Sequence, residues 1–145
     1  MTTVNAYLTF NGNCEAAFDF YKSVFGGEYP HVGRFGDMPP QKGMPPIPEE
    51  DKNKIMHMSL SISEETIIMG SDTLDSWGDD YKTGNNFSLS VNPETIDEAD
   101  AIFIALSADG EVKMDLEITF WGSYFGILTD QFGINWMINL PLDQT

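Results

Sequence analysis

The chain has 145 residues, of which 41% are hydrophobic and 12% aromatic, the composition of one globular domain (1–145) with its own core rather than of a disordered segment. Its formal net charge is −16, which repels phosphate backbones and argues against nucleic-acid binding. No apolar run approaches the roughly 20 residues that span a bilayer, and the stretch MTTVNAYLTFNGN lacks the basic and apolar regions of a secretory leader.

Residues 5–10 alternate, with Asn5, Tyr7 and Thr9 against Ala6, Leu8 and Phe10, the period of a half-buried strand. Asn13 is the expected cap of a helix whose apolar stripe is Ala17, Phe18, Tyr21, Val24 and Phe25, and Gly26-Gly27-Glu28 ends it. Cys14, the single cysteine, cannot form an internal disulfide and fits a reducing cytoplasm. It sits at a helix start, where the dipole can lower a thiol pKa, but no nucleophile signature accompanies it and its expected role is structural. Strands are expected near 28–36, 55–63 and 66–71. Between the first two, GDMPPQKGMPPIPEEDKNK (36–54) holds five of the eight prolines, which forbids regular helix and central strand. A connection this long is either a lid or a surface excursion. In SDTLDSWGDDYKTG, Asp72, Asp75, Asp79 and Asp80 lack the spacing and closing Glu of a calcium loop.

The plan then recurs. Asn86, Ser88 and Ser90 alternate with Phe87, Leu89 and Val91; Thr95 is a candidate cap; Ala99, Ile102, Phe103 and Leu106 form a stripe; Asp109-Gly110-Glu111 closes the helix. Strands follow near 111–121, 123–129 and 134–140, the last two joined by a turn at Asp130-Gln131-Phe132-Gly133 with Gly133 expected at positive φ. The order is βαβββ twice, an α+β chain with one module over about 1–72 and another over about 85–142.

The segments YLTFNGNCEAAFDFYKSVFGGE, KIMHMSLSI, IIMGSD and TFWGSYFGILTDQFGINWMINL resemble the glyoxalase/bleomycin-resistance/extradiol-dioxygenase superfamily, also called vicinal oxygen chelate. Within it they are most similar to the PhnB-like branch, often labelled demethylubiquinone methyltransferase-like. The resemblance implies two βαβββ modules forming a curled mixed sheet with a central cup, helices outside and ligand inside, and a homodimer. It also implies a divalent metal held by His and Glu at equivalent places in the two modules. Read through the internal repeat, those places hold Asn5 and Asn86 for the histidines and Met69 and Met137 for the carboxylates. Asn is a weak neutral ligand and Met suits only soft metals, so no cofactor is expected. Nor does any glycine-rich turn between strand and helix offer a methyl-donor cofactor a cradle.

Alternation assigns His57, Ser59 and Ser61 to the cup, opposite Met56, Met58, Leu60 and Ile62. Lys113, Asp115, Glu117, Thr119 and Trp121 face it opposite Val112, Met114, Leu116, Ile118 and Phe120. Asn135, Met137 and Asn139 face it opposite Trp136 and Ile138. His57 is either a general base or a structural histidine; Glu117 is its acid–base partner or a solvated carboxylate. Arg34, the only arginine, either clamps an anion or makes a surface ion pair. Tyr7, Trp121 and Met137 supply apolar and stacking surface, and Trp136 packs in the core. The expected function is metal-free small-molecule binding, with an aromatic or cationic guest. The alternatives are a lyase, isomerase or transferase using His57 and Glu117, with or without a weakly held divalent metal, and a domain for protein association.

Overall fold

A computed structural model describes residues 2–39, 42–43, 45–77 and 81–142. Residues 1–81 and 82–145 form two compact units. The first runs β1 (Tyr7–Phe10), α1 (Cys14–Phe25), β2 (Glu28–Arg34), β3 (Ile55–Ser61), β4 (Ile67–Asp72); the second runs β5 (Leu89–Val91), α2 (Ile96–Ser107), β6 (Glu111–Ile118), β7 (Ser123–Thr129), β8 (Asn135–Pro141). Each unit is one βαβββ module, with sheet order β1-β4-β3-β2 in the first and β5-β8-β7-β6 in the second. The first strand of each module lies parallel to the last, and the other pairs are antiparallel.

In the first unit, Leu8, Phe10, Met58, Leu60 and Ile68 are buried with Ala17, Phe18 and Tyr21 of α1. This places α1 on one face of the sheet. Gly70 shows how closely the helix lies: a Cβ there would come within 2.8 Å of both the Leu8 carbonyl oxygen and the Phe18 ring. Asn13 makes no side-chain cap of α1. The amides of Gly12 and Cys14 instead donate to Asp72 Oδ1 at 3.0 and 2.9 Å, and Ile55 N donates to Oδ2 at 2.9 Å. Cys14 is fully buried; burial, then the charges of Asp72 and Glu15, push its thiol well above the usual range, as an inert structural cysteine requires.

The second unit buries Ala99, Ile102, Phe103 and Leu106 of α2 with Leu128, Trp136 and Ile138. Thr95 caps α2 by accepting from Glu98 N at 3.1 Å. The β7–β8 turn has Gly133 at φ 88°. Its buried Asp130 accepts from Phe132 N and Ile134 N, and from Trp136 Nε1 at 2.8 Å. Trp136 is therefore a core residue with its indole N–H satisfied, as buried tryptophan requires.

Two expected strand limits change. The strand expected from Asn86 begins at Leu89, leaving Phe87 59% exposed, because Asn135 Nδ2 donates to the carbonyls of Gly84 and Phe87 instead. The strand expected over 111–121 ends at Ile118, where Thr119 accepts from Gly122 N and Ser123 N in a turn with Gly122 at φ 87°. Strand β6 also carries two register shifts, between Val112 and Met114 and between Met114 and Glu117. Of the residues weighed as a calcium loop, Asp79 and Asp80 lie outside the described residues, as do residues 40, 41 and 44 of the Pro-rich stretch.

Candidate functional site

Each sheet has a helix on one face only, and the opposite face carries the candidate residues. In the first unit the register runs straight across all four strands: His31 pairs with Ser59, Ser59 with Met69, and Met69 with Tyr7. In the second it runs Met114, Ile127, Met137, Ser90. These rows are topological counterparts, since β2, β3, β4 and β1 correspond to β6, β7, β8 and β5. With Met69 set against Met137, as the internal repeat pairs them, the rows show which residues lie beside each methionine. Tyr7 and Ser90 flank the two methionines, whereas Asn5 and Asn86 both precede their strands and are exposed.

His57 leans over the first row. Its ring stacks on Tyr7 with centroids 5.6 Å apart and planes at 29°, and the His31 ring lies 5.4 Å away with planes at 40°. The Tyr7 hydroxyl is 3.4 Å from His57 Nδ1, long for a hydrogen bond. Both histidines of the chain thus lie together with Tyr7, which is 48% exposed. His31 escaped the sequence reading because the strand it belongs to, EYPHVGR, contains Pro30 and Gly33 and a register shift between Glu28 and His31, so its alternation is unreadable. Gly33 leaves room for it: a Cβ there would be 3.2 Å from His31 Nε2 and 3.5 Å from the Met56 methyl. A second shift sets Arg34 opposite Ile55 and Gly33 opposite His57. Met56 is the extra residue, which is why it reaches the His31 side although alternation assigned it to the helix face.

Arg34 belongs elsewhere. Its guanidinium grips Glu15 of α1 through two contacts, 3.1 and 2.6 Å, and donates to Asn53 O at 2.8 Å. That pairing holds the Glu15 carboxyl below the usual carboxylate range. The anion-clamp expectation for Arg34 gives way to an ion pair on the helix side, because a nearby carboxylate already fills the guanidinium fork.

In the second unit, Trp121 lies in the β6–β7 turn, 53% exposed, with its ring 5.8 Å from Phe125. Phe125 pairs with Glu117 on one side and Asn139 on the other, so Glu117, Trp121, Phe125 and Met137 share the helix-free face. This face is more apolar than alternation implied, because the first shift in β6 turns Met114 onto it beside Ile127. Glu117 belongs to this unit and His57 to the other.

The metal implied by the superfamily resemblance does not fit these residues. Its repeat-related places hold a phenol and a thioether in one unit and a hydroxyl and a thioether in the other. Zinc, nickel and manganese sites are built from imidazole, carboxylate or thiolate, and the one thiol, Cys14, is buried. Among the described residues, no group of three or more His, Cys, Asp or Glu side chains is arranged to hold a metal ion. Both helix N-termini are also engaged by the chain itself, α1 by Asp72 and α2 by Thr95.

Comparison with known proteins agrees with this architecture. The model of a family described as 3-demethylubiquinone-9 3-methyltransferase matches residues 2–139. The crystal structure of protein PA1353 from Pseudomonas aeruginosa is 36% identical, with TM-score 0.85 over 99% of this chain and 100% of that one. A Bacillus cereus structure titled as a putative 3-demethylubiquinone-9 3-methyltransferase, PhnB protein, is 26% identical, with TM-score 0.76 over 96% and 99%. A Burkholderia phytofirmans protein titled as a glyoxalase/bleomycin resistance protein/dioxygenase family enzyme shares the fold at 18% identity, with TM-score 0.61 over 96% and 100%.

Proposed function

The chain belongs to the 3-demethylubiquinone-9 3-methyltransferase family, whose PhnB-like members have the glyoxalase-type fold, and from that premise we propose that it binds a small molecule on its helix-free sheet faces without a chelated metal. The observation that carries this reading is the Tyr7–His57–His31 ring array, set in the row with Met69 where the superfamily would place chelators. Binding sites combine apolar surface with a few convergent polar groups. The first unit offers hydroxyl and imidazole groups; the second offers Trp121, Phe125 and Met137 with Glu117 beside them. Methyl transfer, named in the family description, finds little support in this chain. The β1–α1 turn is Asn11-Gly12-Asn13, and the amides of Gly12 and Cys14 are spent on Asp72.

A second reading rests on the contact between Tyr7 and His57 Nδ1. With Tyr7 beside Nδ1, the other ring nitrogen is left for a substrate proton, so an acid–base enzyme using His57 is the alternative that the first unit's residues support. Thermal-shift measurements against a panel of small aromatic compounds separate these readings from a pure association domain, since a ligand for the native state raises the midpoint. The expected outcome is a saturable rise with at least one compound, abolished by His57→Ala for a compound bound on the first unit's face and by Trp121→Ala for one bound on the second's. Turnover of that compound, lost in His57→Ala, would favour the enzyme. Metal analysis of protein purified without chelator should find no stoichiometric zinc, nickel or manganese. The exposed Val112, Met114 and Ile118 on edge strand β6 support a homodimer, which sedimentation of the same preparation reads directly.

A further inference from the structure

We infer that the helix-free face of the first unit takes the carboxylate end of a small planar acid, with Tyr7, His31 and His57 as its donors. This names the ligand class for the site proposed above and rests on that proposal. The chain has 23 Asp and Glu against seven Lys and Arg, yet the row from His31 through Ser59 and Met69 to Tyr7, and His57 leaning over it, contain no carboxylate. The acids that approach this sheet are held on its other side or in loops. Glu15 is bound to Arg34, Asp19 accepts from Tyr29, Asp51 is paired with Lys54, and Asp72 is filled by three amides. Glu28 is the carboxylate whose register lies nearest, opposite Ser61, one face position beyond Ser59 and about 7 Å along the strand. Glu64 and Glu65 are farther still, in the β3–β4 turn.

Among the described residues of this unit's row, a cation meets no anionic partner. A carboxylate meets a phenol O–H, and each neutral imidazole carries one N–H whatever its tautomer. Hydrogen bonds to an ionised acceptor are the stronger kind, whereas the 3.4 Å contact between Tyr7 and His57 is weak and readily exchanged. The three rings also supply planar surface for an aromatic body, since Tyr7, His57 and His31 succeed one another at 5.6 and 5.4 Å. The overall negative charge does not forbid this. Screening at physiological salt acts over about 8 Å, so local donors outweigh distant acids.

The test uses the intact chain and its two histidines as reporters. Imidazole resonances are followed by NMR while benzoate, benzamide and benzyltrimethylammonium are titrated in parallel. Benzoate should shift both histidines saturably, with an affinity at least about tenfold above the other two. Tyr7→Phe, which removes one hydroxyl from a half-exposed ring, should weaken benzoate about tenfold. Should Tyr7→Phe fail to fold, Gly33→Ala provides the second arm by crowding His31 Nε2, with the same weakening expected. Equal shifts from all three compounds, or a preference for the ammonium, would overturn the ligand class while leaving small-molecule binding standing. If no compound moves either histidine while the aromatic panel raises the thermal midpoint, the donor face is wrong and only the second unit's face survives. Silence in both assays removes both proposals.

Discussion

Asp72 carries an unusual share of the first unit. It is 2% exposed, and its two oxygens accept three backbone amides, from the loop before α1, from the first residue of α1 and from the start of β3. It therefore replaces the helix cap that Asn13 was expected to supply and pins the entry of β3 after the Pro-rich connection. Removing it leaves buried donors unpaired, which costs more than the hydrogen bonds themselves contribute. Asp72→Ala should lower the unfolding free energy by about 3 kcal/mol or more, while Asp72→Asn, which keeps one acceptor, should lose roughly half as much; urea unfolding measures both. The sequence could not reveal this cap, because the carboxylate and the helix it serves are about 60 residues apart and local motifs report only neighbours. Tyr7, Met69 and Met137 were legible as face residues because alternation holds through their strands, and His57 because the bulge in its strand, at Met56, lies just before it. His31 was not, for the opposite reason: its strand is broken by a proline, a glycine and the register shift between Glu28 and His31.

Among elements, the repeated βαβββ order was readable from hydrophobic period and from glycine at the helix ends, and both helices lie where the stripes put them. Faces were less readable wherever a bulge intervenes. In β6 two shifts reverse the parity and then restore it, so Met114 changes face while Glu117 does not. Edge strands tolerate such bulges because one side has no partner to misalign. Each sheet also uses a glycine to admit a phenylalanine from its helix, Gly70 under Phe18 and Gly126 under Phe103. The two differ in what surrounds them. A Cβ on Gly70 meets a backbone atom, the Leu8 carbonyl oxygen, at 2.8 Å as well as the Phe18 ring at 2.8 Å. A Cβ on Gly126 meets the Phe103 ring at 2.8 Å but no backbone atom closer than Leu116 Cα at 3.1 Å. Gly70→Ala should therefore cost about 2–3 kcal/mol and Gly126→Ala about 1–2 kcal/mol. Comparable losses in the two variants, measured by thermal unfolding, would mean that the closer backbone contact at Gly70 adds no cost.

At the scale of the whole molecule the dominant fact is a net charge of −16, and two opposing contributions decide how stability answers to salt. Ion pairs stabilise and are weakened by screening. The Arg34–Glu15 pair is the best formed, yet both side chains remain a third to a half exposed, so it contributes a few tenths of a kcal/mol. Its sign with pH is definite: the Glu15 carboxyl is held low by Arg34, so its contribution is full above the ordinary carboxylate range and disappears as pH falls through the depressed value. The Lys52–Glu49 and Lys113–Glu111 pairs are more exposed and contribute less. Against these stands repulsion among 23 acidic side chains with seven basic ones to offset them, which disfavours the compact state. Raising ionic strength from about 0.01 to about 0.15 M shortens the screening length from about 30 to about 8 Å. That removes most long-range repulsion while leaving contact pairs largely intact. The thermal midpoint at pH 7 should therefore climb by a few degrees, equivalent to about 1 kcal/mol for a chain of this size. Sodium chloride is the salt to use, because sulfate stabilises by exclusion from the surface whatever the charge. A midpoint that falls with chloride would assign the stability to surface ion pairs instead, and the donor face would then gain nothing from screening when an anion approaches it.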